Sequence, residues 1–255
     1  HAVEARIYAE DPERGFLPST GALVALKFPE GVRVDTGVEQ GSAISPYYDP
    51  MIAKMIAHAP TREAALDRLA QALGRTVAAG PRTNLGFLAD LCRAEPFRKG
   101  AFDTGFIDRN LETLTVSDHS AAAAFGAQQL LMQDRARIAR NLDSAPDGSA
   151  SPWDAADGFQ LSGVRAVEYP VFGDDHRMSA RVAFGANGMH VEVHGRGAAP
   201  DVHFADAGDS SVFVIRHGRQ TTVRFAGGDG ASGDVGEGGG DIRAPMHGKV
   251  LAVLV

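Results

Sequence analysis

The sequence has a single cysteine, Cys92, among its 255 residues. One thiol supports neither an internal disulfide framework nor a multi-cysteine metal cluster, and it suits a reducing compartment. A basic surplus is also missing: 25 Lys and Arg stand against 32 Asp and Glu, a formal net charge of −7. A general phosphate-backbone binder would carry the opposite balance, so no nucleic-acid partner is expected. Apolar runs are short. The longest, Val250 to Val255, has six residues, against the roughly 20 that a membrane-spanning helix needs, and no membrane partner is expected. What is present is ordinary for a globular protein of one or two domains, 44% apolar and 22% charged.

Both ends read as interruptions. The chain opens at His1 directly into an alternating segment, with Val3, Ala5, Ile7 and Ala9 on one face and Glu4, Arg6, Tyr8 and Glu10 on the other. That period of two predicts a half-buried strand that needs neighbours. The last residues, Val250 to Val255 after Lys249, are apolar and strand-forming, an end that natural termini seldom leave bare. The expectation is a piece of a longer polypeptide.

Four units follow from composition. Residues 1–112 predict an α+β unit, with strands at Val3–Ala9, Leu23–Phe28, Val32–Asp35 and Met51–Ala57. Thr61 caps a helix whose apolar stripe runs Ala65, Leu66, Leu69, Ala72, Leu73 and Val77. A second helix spans 84–93, and Thr104 caps a last one ending near Leu111. Residues 113–227 begin with a long helix, capped by Asp118 or Ser120, with an apolar face from Ala121 to Leu142. Short strands follow at Arg165–Phe172, Met178–Phe184, Met189–His194, Asp201–Ala205, Val212–His217 and Thr221–Ala226. A long apolar-faced helix before antiparallel strands predicts a barrel-like or curled sheet wrapped on that helix. Residues 228–241, rich in glycine, read as a linker, and 242–255 begin a further unit.

Several residues suggest chemistry, each with a plainer explanation. Gly236-Glu-Gly238-Gly239-Gly240 follows no strand, opens no helix and lacks the lysine of a phosphate loop. His190, Glu192 and His194 share a strand face, with His203 and His217 on later strands, but no metal-ligand motif accompanies them and a solvated face explains them. Cys92 lies in an apolar-patterned helix and reads as packing. Trp153 is either a partner anchor or a plug for its own loop. Arg33, between Val32 and Val34, is either a surface arginine paired with Asp35 or Glu30, or a fixed positive charge aimed into a cleft to hold an anion. Periodicity leaves both open.

His1-Ala-Val-Glu-Ala-Arg-Ile-Tyr-Ala-Glu-Asp-Pro12 and Gly15-Phe-Leu-Pro-Ser-Thr-Gly21 resemble the C-terminal subdomain of biotin carboxylase. So do Val32-Arg-Val-Asp35 and Pro46-Tyr-Tyr-Asp-Pro-Met-Ile-Ala-Lys54, and the order holds through Thr104-Gly-Phe-Ile107. Ile242-Arg-Ala-Pro-Met-His-Gly-Lys-Val250 looks like the opening of a biotin carboxyl carrier domain. Carboxylase first and carrier last is the layout of an acyl-CoA carboxylase α subunit. Ser151-Pro-Trp-Asp154 and Asp157-Gly-Phe-Gln-Leu161 look most like the 3-methylcrotonyl-CoA branch.

The resemblance implies a biotin-dependent ligase that uses ATP and bicarbonate to carboxylate biotin and docks a carboxyltransferase β subunit through residues 113–227, in a hetero-oligomer with several α subunits. It implies that ATP and Mg are held mainly by N-terminal lobes outside this chain, and that the biotin-bearing lysine lies beyond Val255. It makes Arg33 similar to the arginine that faces the biotin ureido oxygen, a catalytic and biotin-binding role, with no metal ligand assigned. Arg62 resembles a position near the carboxylase dimer interface, and Phe106 falls near the adenine pocket. The implied compartment is the bacterial cytoplasm or the mitochondrial matrix. Taken alone, residues 1–255 are expected to be inactive. Propionyl-CoA, geranyl-CoA and other acyl-CoA carboxylase α subunits, or a non-catalytic scaffold, are the alternatives.

Overall fold

The computed structural model describes residues 1–115, 118–143, 165–185 and 188–226. Expectations for 144–164, including Trp153 and its neighbours, and for the linker and carrier segments 228–255, lie outside the described residues.

The first unit is mixed. Strands β1 (Ala2–Tyr8) and β2 (Glu10–Asp11) lead through a 3-10 turn, Pro12–Arg14, to β3 (Leu17–Pro18), β4 (Gly21–Ala22), β5 (Ala25–Lys27), β6 (Arg33–Thr36), β7 (Ala43–Ile44) and β8 (Met51–His58). Helix α1 (Arg62–Arg75), β9 (Val77–Ala79), α2 (Leu85–Arg93), α3 (Glu95–Arg98) and α4 (Phe106–Leu114) complete it. β8 lies between β1 and β6, antiparallel to both. The alternation in β1 buries Ala5 and Ile7, with Ala9 buried just past its end, and α1 packs its Leu66, Leu69 and Leu73 against the same core. Thr61 Oγ1 accepts the Ala64 N–H at 3.1 Å, closing the start of α1.

Three local expectations are corrected. Val77 continues the helical spacing, yet α1 stops at Arg75, because Thr76 turns extended and sends its N–H back to Ala72 and Leu73; Val77 then opens β9, paired with β5. The segment 23–28 is not one strand: Leu23 donates to Ser42 and Val24 to Ala79, so the chain changes partners between them. The cap of α4 is not Thr104. Gly105 holds that position, its N–H taken by Asp103, and the helix runs to Leu114.

The second unit begins with α5 (Ser120–Asp143), started by Asp118, whose side chain accepts the Ser120 N–H at 3.0 Å. Strands β10 (Arg165–Gly173), β11 (His176–Gly185), β12 (Gly188–Val193), β13 (Arg196–Gly197), β14 (His203–Gly208), β15 (Ser211–Arg216) and β16 (Arg219–Phe225) follow. They form one antiparallel sheet in the order β13-β12-β11-β10-β16-β15-β14, curled around α5. Its concave side is valine-rich, with Val171, Val182, Val191, Val193, Val212, Val214 and Val223 buried. The helix meets them with alanines and Gly126, where an added Cβ would lie 2.6 Å from Val223. On α5 Leu130 is buried and Leu131 half-buried, whereas Met132, expected on the apolar face, is exposed.

The two units interlock. The turn between β15 and β16 enters between the end of α1 and the start of α2. Gly218, at φ +76°, has Leu73 O, Leu85 Cβ and the Gly86 nitrogen 3.0–3.2 Å from where a side chain would begin. Arg219 Nη2 donates to Asp90 at 2.7 Å and to Leu114 O at 3.0 Å.

Candidate functional site

Strand registers set the faces of the β1-β8-β6 sheet. One face carries Ala5, Ile7, Ala53, Met55 and Ala57 into the core. On the other, two rows cross the three strands: Glu4, Ile56 and Arg33 in one, Arg6, Lys54 and Asp35 in the next. Alternation therefore delivers Arg33 to an outward, charged face rather than to the core.

The Arg33 side chain is 75% exposed. Its Nε donates to Asp35 Oδ1 at 3.0 Å and its Nη2 to Asp35 Oδ2 at 3.1 Å. The fork raises the guanidinium further above its usual value and holds the Asp35 carboxyl below the ordinary carboxylate range, the hydrogen bond being the leading cause of both shifts. Arg6 and Glu4 form a second pair on this face at 3.3 Å. Of the two partners expected for a surface Arg33, Asp35 takes the place. Two hydrogen bonds leave three of the five guanidinium N–H groups uncommitted to Asp35, so this pairing does not exhaust the group's capacity to meet an anion.

The other singled-out residues are placed elsewhere. Arg62 folds onto its own domain, donating to Arg98 O at 3.2 Å and Phe97 O at 2.9 Å and lying over the Phe97 ring. Phe106 is buried in a cluster with Phe87, Leu91 and Leu114. Cys92 is 5% exposed, and burial pushes its thiol up to about 11, the state of a packing residue. The histidines are dispersed: His190 contacts Glu192 at 3.1 Å, His194 contacts Ser120 at 3.2 Å, and His217 contacts Asp201. Among the described residues no group of three or more His, Cys, Asp or Glu is placed to hold a metal ion. The Gly236–Gly240 stretch lies outside the described residues. Among the described residues, no helix is long and apolar enough to cross a membrane.

Polar contacts that the sequence did not signal join the two units. Gln220 bonds both backbone groups of Gly80, and Arg82 pairs with Asp174 while donating to Gln220 O at 2.6 Å. Beside them a cleft of about 520 Å³ sets Arg14, Arg82 and Arg224 against Asp11, Asp174 and Asp175. Three charges of each sign give it no preference for an anion. Contacts so distant in sequence leave no local pattern to find.

Comparison with known proteins bears on the same residues. Residues 4–109 match the family described as the biotin carboxylase C-terminal domain. The chain is similar to the mitochondrial methylcrotonoyl-CoA carboxylase subunit alpha of Oryza sativa subsp. japonica, 34% identical over 245 residues, 89% of this chain and 33% of that protein. It is similar to the mitochondrial propionyl-CoA carboxylase alpha chain of Caenorhabditis elegans, 44% identical over 110 residues, 42% of this chain and 15% of that one. Among solved structures it is similar to the biotin carboxylase domain dimer of Hydrogenobacter thermophilus 2-oxoglutarate carboxylase, in complex with MgADP, ADP and bicarbonate. That likeness has 35% identity and a TM-score of 0.45, covering 46% of this chain and 26% of the other. The chain thus spans a third or less of the length of these relatives.

Proposed function

Residues 4–109 belong to the biotin carboxylase C-terminal domain family, and from that we propose that the chain is part of the α subunit of a biotin-dependent acyl-CoA carboxylase. The whole subunit is a ligase that carboxylates biotin with ATP and bicarbonate, then passes the carboxyl group to a carboxyltransferase β subunit. The acyl substrate is 3-methylcrotonyl-CoA. The observation that carries this reading is the 245-residue similarity to the rice subunit, which runs past the family segment into α5 and the curled sheet. The similarity to the propionyl-CoA carboxylase chain spans 110 residues. The curled sheet and α5, on this reading, dock the β subunit.

Arg33 is the catalytic and biotin-binding residue of the chain. Biotin supplies a ureido group whose nitrogen accepts the carboxyl and whose oxygen gathers negative charge when that nitrogen loses its proton. The donor set fits such an oxygen: a guanidinium stays charged at any working pH, stands on an exposed face and keeps N–H groups beyond those given to Asp35. Its role is to stabilise charge as it develops, from a position set before the reaction starts. No residue of this chain is assigned to ATP, Mg or bicarbonate. Residues 1–255 alone therefore bind and position without completing the reaction.

The test is carboxylation of a CoA-ester panel by the full-length α subunit co-expressed with its β subunit. Turnover of 3-methylcrotonyl-CoA above propionyl-CoA and geranyl-CoA supports the reading. ATP-dependent carboxylation that favours either of the others overturns the substrate assignment.

A further inference from the structure

We infer that His119 is a pH-sensitive latch at the junction of the two units. Once its ring carries a second proton, the Nδ1–H closes on the buried Asp174 carboxylate, which Arg82 of the first unit holds from the other side.

Asp174 sits in the turn between β10 and β11, at φ +54°. Its N–H donates to Thr222 O at 2.7 Å, and its Oδ1 accepts the Thr222 N–H at 2.8 Å and an N–H from Arg82 Nη2. Oδ2 has nothing comparable. Among the described residues it is the one buried side-chain nitrogen or oxygen without a hydrogen-bond partner, an arrangement that costs free energy unless something else satisfies it. His119 Nδ1 lies 3.5 Å from it. The two side chains are 12% and 11% exposed, so solvent screens their contact little.

The proton count of the ring decides what this contact is. Nδ1 also stands 3.2 Å from Thr221 Oγ1, a hydroxyl that either donates or accepts. A neutral ring protonated on Nε2 takes the Thr221 proton and turns its lone pair towards the Asp174 side. A charged ring carries a proton on both nitrogens, so Nδ1–H reaches between Thr221 Oγ1 and Asp174 Oδ2 and the pair gains a charge-assisted bond. The other groups around the ring divide. Asp118 before α5 and Asp90 of α2 favour the charged form, while Arg93 of α2, Arg216 of β15 and Arg219 of β16 oppose it across a recess of about 180 Å³ that His217 also lines. His176 of β11 stacks on the ring at 5.2 Å and opposes it when itself charged, as do Arg82 on Oδ1 and the free N–H groups at the start of α5. Asp174 is the carboxylate in contact. Histidine changes charge between about pH 5 and 8, and this bond belongs to the folded state. Its stabilisation is therefore present at the acid end of that range and is lost as the pH rises. At the acid end, the turn that Arg82 grips is also fastened to α5.

The experiment compares the 255-residue chain with its His119→Gln, Asp174→Asn and doubly substituted variants by urea unfolding at about pH 6 and about pH 8, the two sides of the histidine range. Asn tolerates the left-handed backbone of position 174, and Gln keeps an N–H donor at 119 that does not titrate. The coupling between the two positions, read as the ratio of unfolding constants around the cycle, is expected to be about tenfold stronger at the lower pH. Wild type should gain a similar factor over His119→Gln between the two conditions, a comparison that decides the matter even if Asp174→Asn does not fold. Coupling of one size at both pH values overturns the inference, because a neutral Nδ1–H tautomer would then suffice. So does a wild-type profile that runs parallel to that of His119→Gln.

Discussion

Gln220 closes its carboxamide on both backbone groups of Gly80: Nε2 donates to the Gly80 carbonyl at 3.0 Å, and Oε1 accepts the Gly80 N–H at 2.9 Å. A side chain from β16 thus supplies what a neighbouring strand would supply to the turn after β9. Gly80 is held at φ +119°, with Ala22 O only 2.1 Å from where a Cβ would sit, so another residue does not fit the turn.

Replacing Gln220 with Ala strands a donor and an acceptor in a site where the side chain is 9% exposed. A loss of about 1–3 kcal/mol is expected from uncompensated buried polar groups. Gln220→Glu should cost more, because a carboxylate oxygen would face the Gly80 carbonyl. Urea unfolding of the chain measures both, and an unchanged midpoint in the two variants would contradict the account.

At the helix–sheet contact, Gly126→Ala forces a methyl to within 2.6 Å of the Val223 side chain. Overpacking of this kind costs about 1–3 kcal/mol. Adding Val223→Gly, which removes the Cβ at 2.6 Å and both γ-methyls, should return part of the loss, a coupling that a double-mutant cycle reads directly. Strict additivity would show that α5 is not seated on β16 in this way.

Cys92 gives a chemical readout of the first core. With its thiol pushed up to about 11, roughly one molecule in a thousand carries a thiolate there at pH 8. Alkylation by iodoacetamide at pH 8 should be negligible in the folded chain and rapid in urea. The raised value also sets a direction for stability. The folded state holds this proton more tightly, so the contribution is complete below the ordinary value of 9.0 and drains away as pH rises towards about 11. Fast native-state alkylation would show that the core opens more readily than its packing implies.

For Arg33, both Arg33→Ala and Arg33→Lys in the full-length subunit should retain ATP binding and lose biotin-dependent turnover. Lysine keeps the charge but not the planar fork that Asp35 grips. Free-biotin carboxylation beside ATP calorimetry separates the two effects. A Lys variant as active as wild type would mean that charge alone suffices.

Local pattern carried much of the fold. The period of two in β1, the Thr61 cap and the short strands from Arg165 onward stand close to where the residues put them. The end of α1 was hidden because Val77 sits at helical spacing, and only its pairing with β5 makes it a strand. Met132 was misplaced for a related reason: it repeats the apolar spacing of α5, yet is 51% exposed. Periodicity placed Arg33 on one side of a strand without telling cleft from solvent. The role proposed for it rests on resemblance, and its geometry on the register that sets Lys54 opposite Asp35. The Gln220–Gly80 and Arg219–Asp90 contacts span 140 and 129 residues, beyond any local rule.

The seating of Gly218 against Leu73, Leu85 and Gly86 has a mechanical corollary. With no slack at that tip, the curled sheet and the strands bearing Arg33 share a single frame of reference. A tug on the sheet reaches β6 as a rotation of the whole body, not as the bending of a tether, and anything clasping the sheet is thereby kept at a set distance from that arginine.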